Sequence, residues 1–300
     1  MSTPLPALSL SAVPGRRAAT LDLAREIEAR GFAGIYCPSF GDGLGLCQAI
    51  GQVTETIEFG TSIVNMYTRH VADYAQTASL IHELSGGRFR FGIGVSHSPM
   101  NDRLGVTAGR PLADTREFVD ALHSQKRVGE MPPVVLAAMR DKMCALSVEI
   151  ADGMVFANAA RSAFAGTLGR CPERPTGFFV GGMIPTCISD DREAAAAVMR
   201  KTLTMYVGLP NYRNYWKESG YRDEMEAIEA AQAAGDHDAV PGLMTDAWLQ
   251  DCTLHGPADE VRQGLREWFD AGLSTPILVP SSVNGGQMTA FEEVFDFFHT

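Results

Sequence analysis

A glycine-containing run that ends in a histidine is the first stretch of this sequence whose residue types suit chemistry. Residues 92–97 read GIGVSH and follow an apolar run that begins at Arg88. Glycine lets a backbone approach a ligand closely, and histidine can hold or transfer a proton near neutral pH. A dinucleotide-binding loop would need a third glycine leading into a helix, but Ser98 and Pro99 follow His97. The run therefore predicts a ligand contact, and the alternative is an ordinary loop with a packing histidine.

A second candidate is the stretch Ala137, Ala138, Met139 and Arg140, which lies between an apolar run and a helical pattern. Small residues before a helix N-terminus form a cradle for an anion, and an arginine can pair with a phosphate group. The alternative is a short turn with a solvated arginine. Asn158, which follows the next apolar run, is a weaker candidate of the same kind.

Several other classes of site and protein are disfavoured. The sequence has no HExxH motif and no Cys/His cluster, so a metal is not predicted. The formal net charge of −11 leaves no basic stripe to neutralise nucleic-acid phosphates. A membrane helix would need about 18 unbroken apolar residues, which we do not find. Six scattered cysteines without a CxxC pair, and no signal-peptide pattern, predict reduced thiols in a cytoplasmic protein.

The elements that must position these residues are short apolar runs that alternate with helix-period stretches. Val, Ile and Phe are frequent in the runs, as expected of buried parallel strands. Eight strands are predicted, at residues 7–13, 32–38, 58–64, 88–95, 133–138, 153–158, within 178–188, and at 276–280.

This alternation predicts an α/β fold of the (β/α)8 TIM-barrel type, because parallel strands need helical crossovers and eight of them suit barrel closure. An open doubly wound sheet could be built from the same local pattern. We see no domain boundary, so residues 1–300 are predicted to form one domain. Residues 200–256 are long for one connection and predict a helical insertion between strands seven and eight. Asp190, with Glu193 three residues later, is predicted to cap the helix that follows it.

Four stretches carry a resemblance to a known family: GTSIVNMYTRH (60–70), ELSGGRFRFGIGVSHSP (83–99), residues 132–158 and residues 255–280. In this order they resemble the luciferase-like oxidoreductase family, a superfamily of flavin and deazaflavin enzymes. The Asn-Met-Tyr-Thr-Arg-His stretch is more similar to the branch that uses the deazaflavin coenzyme F420 than to classical luciferases.

The resemblance implies a TIM barrel with a cofactor at the carboxyl ends of its strands. It implies a non-proline cis peptide and a bulge at Ser62-Ile63, behind the cofactor ring, and a phosphate contact at residues 137–140. The residues expected to contact the cofactor are Ser62, Ile63, Asn65, Gly94, Val95, Ser96, Ala137, Ala138, Met139, Arg140 and Asn158. The cofactor is expected to be coenzyme F420, with FMN as the alternative.

The sequence departs from the family after strand two, where many members carry an acidic residue and a histidine. Here Cys37, Pro38, Ser39 and Phe40 stand at that position. His97 is therefore the predicted catalytic proton donor, in hydride transfer between F420 and a small organic substrate. The alternatives are an FMN-dependent monooxygenase with a separate reductase partner, a barrel that binds cofactor without catalysis, and an unrelated barrel enzyme such as a phosphate-binding isomerase. A homodimer is implied by the resemblance.

Overall fold

The computed structural model describes residues 4–39 and 41–299, and the chain divides into two compact units. The first unit comprises the residues up to Phe156 together with Cys171–Gly181. The second comprises Ala157–Arg170 and the residues from Gly182 onward.

In the first unit, strands alternate with helices as the hydrophobic pattern predicted. Its elements are β1 (Ala7–Ser9), α1 (Arg17–Ala29), β2 (Ile35–Pro38), α2 (Gly43–Val53), β3 (Phe59–Ser62), β4 (Val64–Asn65), α3 (Val71–Leu84), β5 (Phe89–Gly94), α4 (Ser98–Arg103), α5 (Pro111–His123), β6 (Val134–Ala137), α6 (Asp141–Ile150) and β7 (Gly153–Ala157). Gly31, with φ of +77°, follows α1 at the predicted stop, where a left-handed backbone favours glycine.

All of the paired strands of this unit are parallel, in the order β1, β2, β3, β5, β6 and β7, with β4 also on β5. The register shifts along the third predicted strand. Phe59 pairs with Phe89, thirty residues further along the chain, whereas Val64 pairs with Ile93, twenty-nine residues further. One extra residue on one side of a ladder is a β-bulge, so the predicted strand 58–64 is interrupted and becomes β3 and β4.

Aromatic side chains fill the space between these strands and the helices. Phe59, Phe89 and Phe91 are fully buried, and their neighbouring rings have centroids 5.7 Å and 6.3 Å apart. The Tyr74 ring of α3 packs on Phe91 at 5.7 Å. Burying each such ring removes roughly 150–250 Å² from water, which makes these contacts a main source of stability in this unit.

A single arginine ties the end of α2 to the loops on either side of it. The Arg88 guanidinium donates to the carbonyl oxygens of Gly51, Thr54, Ile57 and Ser85 and to the Thr54 hydroxyl, at distances between 2.8 and 3.2 Å. The last carbonyls of a helix lack intrahelical donors, and here the Arg88 guanidinium supplies N–H donors to them.

The second unit contains the predicted helical insertion. Its elements are α7 (Arg161–Arg170), β8 (Phe179–Ile188, which begins in the first unit), α8 (Arg192–Val207), α9 (Pro210–Glu218), α10 (Arg222–Ala233), α11 (Val240–Leu243), α12 (Asp246–Cys252), β9 (Leu254–Gly256), α13 (Ala258–Asp270), β10 (Thr275–Ser281) and α14 (Gln287–His299). The short strand β9, which pairs with β8 in parallel, was not predicted.

The cap predicted for the insertion was wrong by one residue. Asp191, not Asp190, accepts the hydrogen bond from the Ala194 N–H at 3.0 Å, because α8 begins at Arg192. The aromatic residues of the insertion are mainly packing residues: Tyr212, Tyr215 and Trp216 are buried.

No helix in residues 4–39 and 41–299 has the length and apolar character needed to cross a membrane. The six cysteines are free thiols, and five of them are buried.

Candidate functional site

The carboxyl end of β3 carries the backbone feature expected there. The peptide bond between Ser62 and Ile63 is cis, and it lies at the bulge that separates β3 from β4. Just before it, the Thr61 hydroxyl donates to the Gly92 carbonyl at 2.7 Å and accepts from the Gly92 N–H at 2.9 Å. A side chain thus supplies the bonds that the ladder lacks at the bulge.

Three of the predicted cofactor residues, from three different strand ends, lie in contact. A Cβ added to Gly94 would lie 3.1 Å from Ile63 Cδ1 and 2.9 Å from Ala137 Cβ. The same addition at Gly92 would lie 1.8 Å from the Thr61 carbonyl oxygen. These glycines therefore allow close packing between strands, and the Ile63 side chain occupies the space beside Gly94.

The turn after β5 has an uncommon backbone. Ser96 has φ of +58°, in the left-handed region that a residue with a Cβ rarely occupies. Val95, Ser96 and His97 are half-buried, and His97 is the first residue before α4. Burial lowers the pKa of His97 below its ordinary value, so that its imidazole is neutral at pH 7. A neutral imidazole can accept a proton there, whereas the sequence had predicted a proton donor.

Asn65 is held by the protein at both ends of its amide. Its Nδ2 donates to Asn101 Oδ1 at 2.8 Å, and its Oδ1 accepts from the Tyr67 N–H at 3.1 Å. Its carbonyl accepts from the Tyr74 hydroxyl at 2.6 Å. Asn65 therefore has a clear structural role, and the predicted contact with a cofactor ring stays a prediction.

The turn after β6 ends at a helix N-terminus, as predicted. Ala138 is buried, Met139 is half-buried and Arg140 is exposed at the position before α6. The Arg140 side chain does not cap α6, and the dipole of this helix N-terminus favours an anion, although Asp141 adds a negative charge in the first turn.

Asn158 lies in the second unit and also has a left-handed backbone, with φ of +56°. It is 4% exposed, and its Nδ2 has no hydrogen-bond partner within the described ranges of the chain. Its carbonyl accepts from Trp216 Nε1 at 3.0 Å, and the Tyr206 hydroxyl lies beside its side chain without the geometry of a hydrogen bond. A buried amide N–H of this kind is suited to a ligand acceptor, and its assignment to the cofactor stays a prediction.

The end of β2 is the position at which many family members carry an acidic residue and a histidine. Cys37 and Pro38 are buried, and the Cys37 thiol contacts the thiol of Cys47 in α2. Phe40 lies outside the described residues. Burial, followed by the contact with Cys37, raises the pKa of Cys47 well above its ordinary value, so the Cys47 thiol is protonated at neutral pH. Among the residues described, no group of three or more His, Cys, Asp or Glu side chains is placed to hold a metal ion.

Two groups that the sequence did not single out support this region. Asn101 is 2% exposed and lies beneath the turn after β5. Asp114 accepts from the Tyr67 hydroxyl at 2.7 Å, which ties the loop after β4 to the start of α5. Both partners are distant in sequence, so no local pattern announces them.

Comparison with known proteins agrees with the fold and with the resemblance. The profile of the luciferase-like monooxygenase family matches residues 5–275. A 5,10-methylenetetrahydromethanopterin reductase of Methanolobus tindarius is 26% identical over 274 residues, which cover 80% of this chain and 82% of the reductase.

Two solved structures share the fold along nearly the whole chain. The coenzyme F420-dependent tetrahydromethanopterin reductase of Methanopyrus kandleri has a TM-score of 0.76 at 17% identity, covering 97% of each chain. An F420-dependent secondary alcohol dehydrogenase, solved with an F420-acetone adduct, has a TM-score of 0.72 at 17% identity, covering 99% of each chain. These likenesses establish the predicted α/β fold of the (β/α)8 TIM-barrel class. With a profile match over most of its length, the chain belongs to the luciferase-like monooxygenase family and is an oxidoreductase.

Proposed function

We propose that this protein is a coenzyme F420-dependent oxidoreductase that transfers a hydride to or from a small organic substrate. The observation that carries the proposal is the packing of Ile63, from the bulge after β3, and of Ala137, from the end of β6, beside Gly94 at the end of β5. In barrels of this class, function concentrates at those ends. The F420 dependence of the two enzymes with the same fold and the sequence similarity to a reductase support this cofactor.

The residues of this region fit a planar heterocycle that carries an anionic tail. Gly94 and Ala137 have no side chain longer than a methyl group, and the Ile63 side chain packs beside Gly94, so these residues offer a flat ring a short apolar surface. The N-terminus of α6 carries the positive end of the helix dipole, and Arg140 provides a positive charge for a phosphate. This local site matters because the chain as a whole, at −11, repels anions.

When bound, F420 supplies or accepts the hydride at its deazaflavin ring. The part of this chain is to orient the ring and the substrate, to exclude water and to handle a proton. His97 is neutral at pH 7, so the imidazole nitrogen without a proton accepts one from a substrate that is being oxidised. In the reverse direction the resulting imidazolium returns that proton.

The test is a parallel fluorescence titration of the purified protein with F420 and with FMN. We expect F420 to bind more tightly than FMN. Arg140→Gln should weaken F420 binding by roughly tenfold, the loss of one charge-assisted phosphate contact, and should leave binding of the phosphate-free deazaflavin unchanged. Arg116→Gln is the matched control, because this exposed arginine of α5 pairs with Glu149.

Binding of FMN without binding of F420 would refute the proposal and favour an FMN-dependent monooxygenase. Tight F420 binding with no turnover of any substrate tried would instead favour a cofactor-binding protein without catalysis.

A further inference from the structure

A buried asparagine lies directly beneath the turn that carries His97. Asn101 is in α4 and is 2% exposed. Its Nδ2 donates to the Val95 carbonyl at 3.1 Å, and its backbone N–H donates to the His97 carbonyl at 2.9 Å. The residue between these two carbonyls is Ser96, whose φ is +58°. Asn101 therefore holds both sides of the left-handed residue.

This arrangement matters because the left-handed backbone of a serine is costly. A non-glycine residue in that region costs about 1–3 kcal/mol and persists only where its surroundings fix it. Without the Asn101 side chain, the turn would keep the bond to the His97 carbonyl, which is part of α4, but would lose the bond to Val95. We expect the turn then to relax toward a commoner conformation, which would redirect His97.

The other end of the Asn101 amide is anchored in a different strand. Its Oδ1 accepts from Asn65 Nδ2 at 2.8 Å. Asn65 is fixed in turn by the Tyr67 N–H and by the Tyr74 hydroxyl of α3. The amide thus connects the turn after β5 to β4 and α3, which places the turn relative to the bulged strand.

An amide is suited to this position because it must donate and accept within one short side chain. An aspartate at 101 would place a carboxylate oxygen against the Val95 carbonyl, which also accepts only. A leucine has a similar shape and neither group. The buried Val95 carbonyl and the Asn65 amide would then each lose a partner.

We propose that Asn101 is a positioning residue, which sets the orientation of His97 by fixing the Val95–His97 turn against β4. The catalytic meaning of this orientation rests on the proposed function, but the orientation itself does not. The proposed proton-handling group and its support are thereby assigned to two different residues, His97 in the turn and Asn101 in α4.

The test uses cofactor-free protein, so that it stands apart from the question of which cofactor binds. All seven histidines are isotopically labelled and titrated by NMR, and the His97 signal is assigned by its loss in His97→Gln. In the parent protein we expect the pKa of His97 to lie below the ordinary histidine value of 6.5, because the imidazole is partly buried. In Asn101→Leu we expect the pKa of His97 to rise by about half a unit or more as water reaches the imidazole, and the other histidines to keep theirs.

A matched control separates positioning from general loss of stability. Thr115 is 2% exposed, and its hydroxyl donates to the Pro111 carbonyl at 2.7 Å in α5. Thr115→Val removes a buried hydrogen bond of the same unit without touching the turn, so it should leave the titration of His97 unchanged. If Asn101→Leu does not fold, Asn101→Ala is used, and Asn65→Leu opens the same connection from β4 and should give a smaller shift in the same direction.

The proposal is overturned if the pKa of His97 is the same in a folded Asn101 variant as in the parent, or if Thr115→Val moves it equally. A second readout applies once turnover is available. Asn101→Leu should lower kcat at least tenfold, whereas Thr115→Val should leave kcat unchanged. Failure of F420 to bind either protein would count against the proposed function and would leave the NMR result valid.

Discussion

Replacing Arg88 with alanine should remove a large part of the stability of this protein. Its guanidinium donates five hydrogen bonds, four of them to backbone carbonyls around the end of α2. It also lies over the Phe59 ring, 5.3 Å from the centroid. No other side chain of similar size can reach these acceptors at once, because a planar fork with five N–H groups is specific to arginine.

The cost can be estimated from these contacts. Each hydrogen bond to a charged group contributes about 1.5–3 kcal/mol when it is deleted in isolation. Arg88 is only half-buried, so water replaces part of what is lost, and we expect Arg88→Ala to lower the free energy of unfolding by about 3–5 kcal/mol. This is a large fraction of the roughly 5–15 kcal/mol of a typical domain. Arg88→Lys should recover only part of it, leaving a loss of about 2 kcal/mol, because an ammonium cannot reach all of the acceptors.

The assay is urea unfolding followed by far-UV circular dichroism, with the free energy of unfolding extrapolated to water for each variant. The matched control is Arg25→Ala in α1, because the Arg25 side chain is 53% exposed and bonds to Asp22 one turn away. That change should cost less than about 0.5 kcal/mol. The reasoning would be refuted if Arg88→Ala lay within about 1 kcal/mol of the parent, or if lysine replaced Arg88 without loss.

Two further predictions concern the strand ends and the response to acid. Gly94→Ala places a carbon 2.9 Å from the Ala137 Cβ, closer than the roughly 3.5–4.0 Å of ordinary contact. It should lower the free energy of unfolding by about 1–3 kcal/mol and raise the Kd for F420 about tenfold, as measured by fluorescence titration. An unchanged affinity would contradict the proposed site. Burial raises the pKa of Glu28, but hydrogen bonds from residues 55–57 outweigh this and lower it overall. At pH values above the unfolded-state pKa of about 4.3, Glu28→Gln should therefore lower the free energy of unfolding by about 1 kcal/mol. Urea unfolding should show that this difference from the parent shrinks as the pH falls through the lower pKa of the folded state. A constant difference from pH 3 to pH 7 would refute this assignment.

Much of the fold could be predicted from the sequence because its local signals agree with its packing. The eight predicted strands all correspond to strands, and the glycine stop after α1 stands where the helical pattern ends. The first strand was predicted too long, as residues 7–13, because the alternation continues to Val13, whereas the last backbone hydrogen bond to β2 is from the Leu10 N–H to the Tyr36 carbonyl. Asp190 and Asp191 carry the same capping signal, and only the start of α8 decides between them.

The backbone features of the candidate site could be predicted from local sequence motifs. Contacts between side chains that are far apart in the sequence could not. The bulge and the cis peptide at Ser62-Ile63 followed from the resemblance, and both are present. Asn101 could not be predicted, since it looks like an ordinary polar residue of a short helix. Its burial depends on Asn65, which lies thirty-six residues earlier in the chain.

The Thr61 hydroxyl has a consequence for how this protein can change over evolution. By bonding to both the N–H and the carbonyl of Gly92, it closes the regular part of the ladder before the bulge begins. Ile63 thereby lies outside the ladder, between Ser62, which pairs with Pro38, and Val64, which pairs with Ile93. Selection, or an engineer, can alter Ile63 to suit a new ligand while the strand register behind Thr61 is preserved. Thr61→Val, which has the same shape but no hydroxyl, would end that independence.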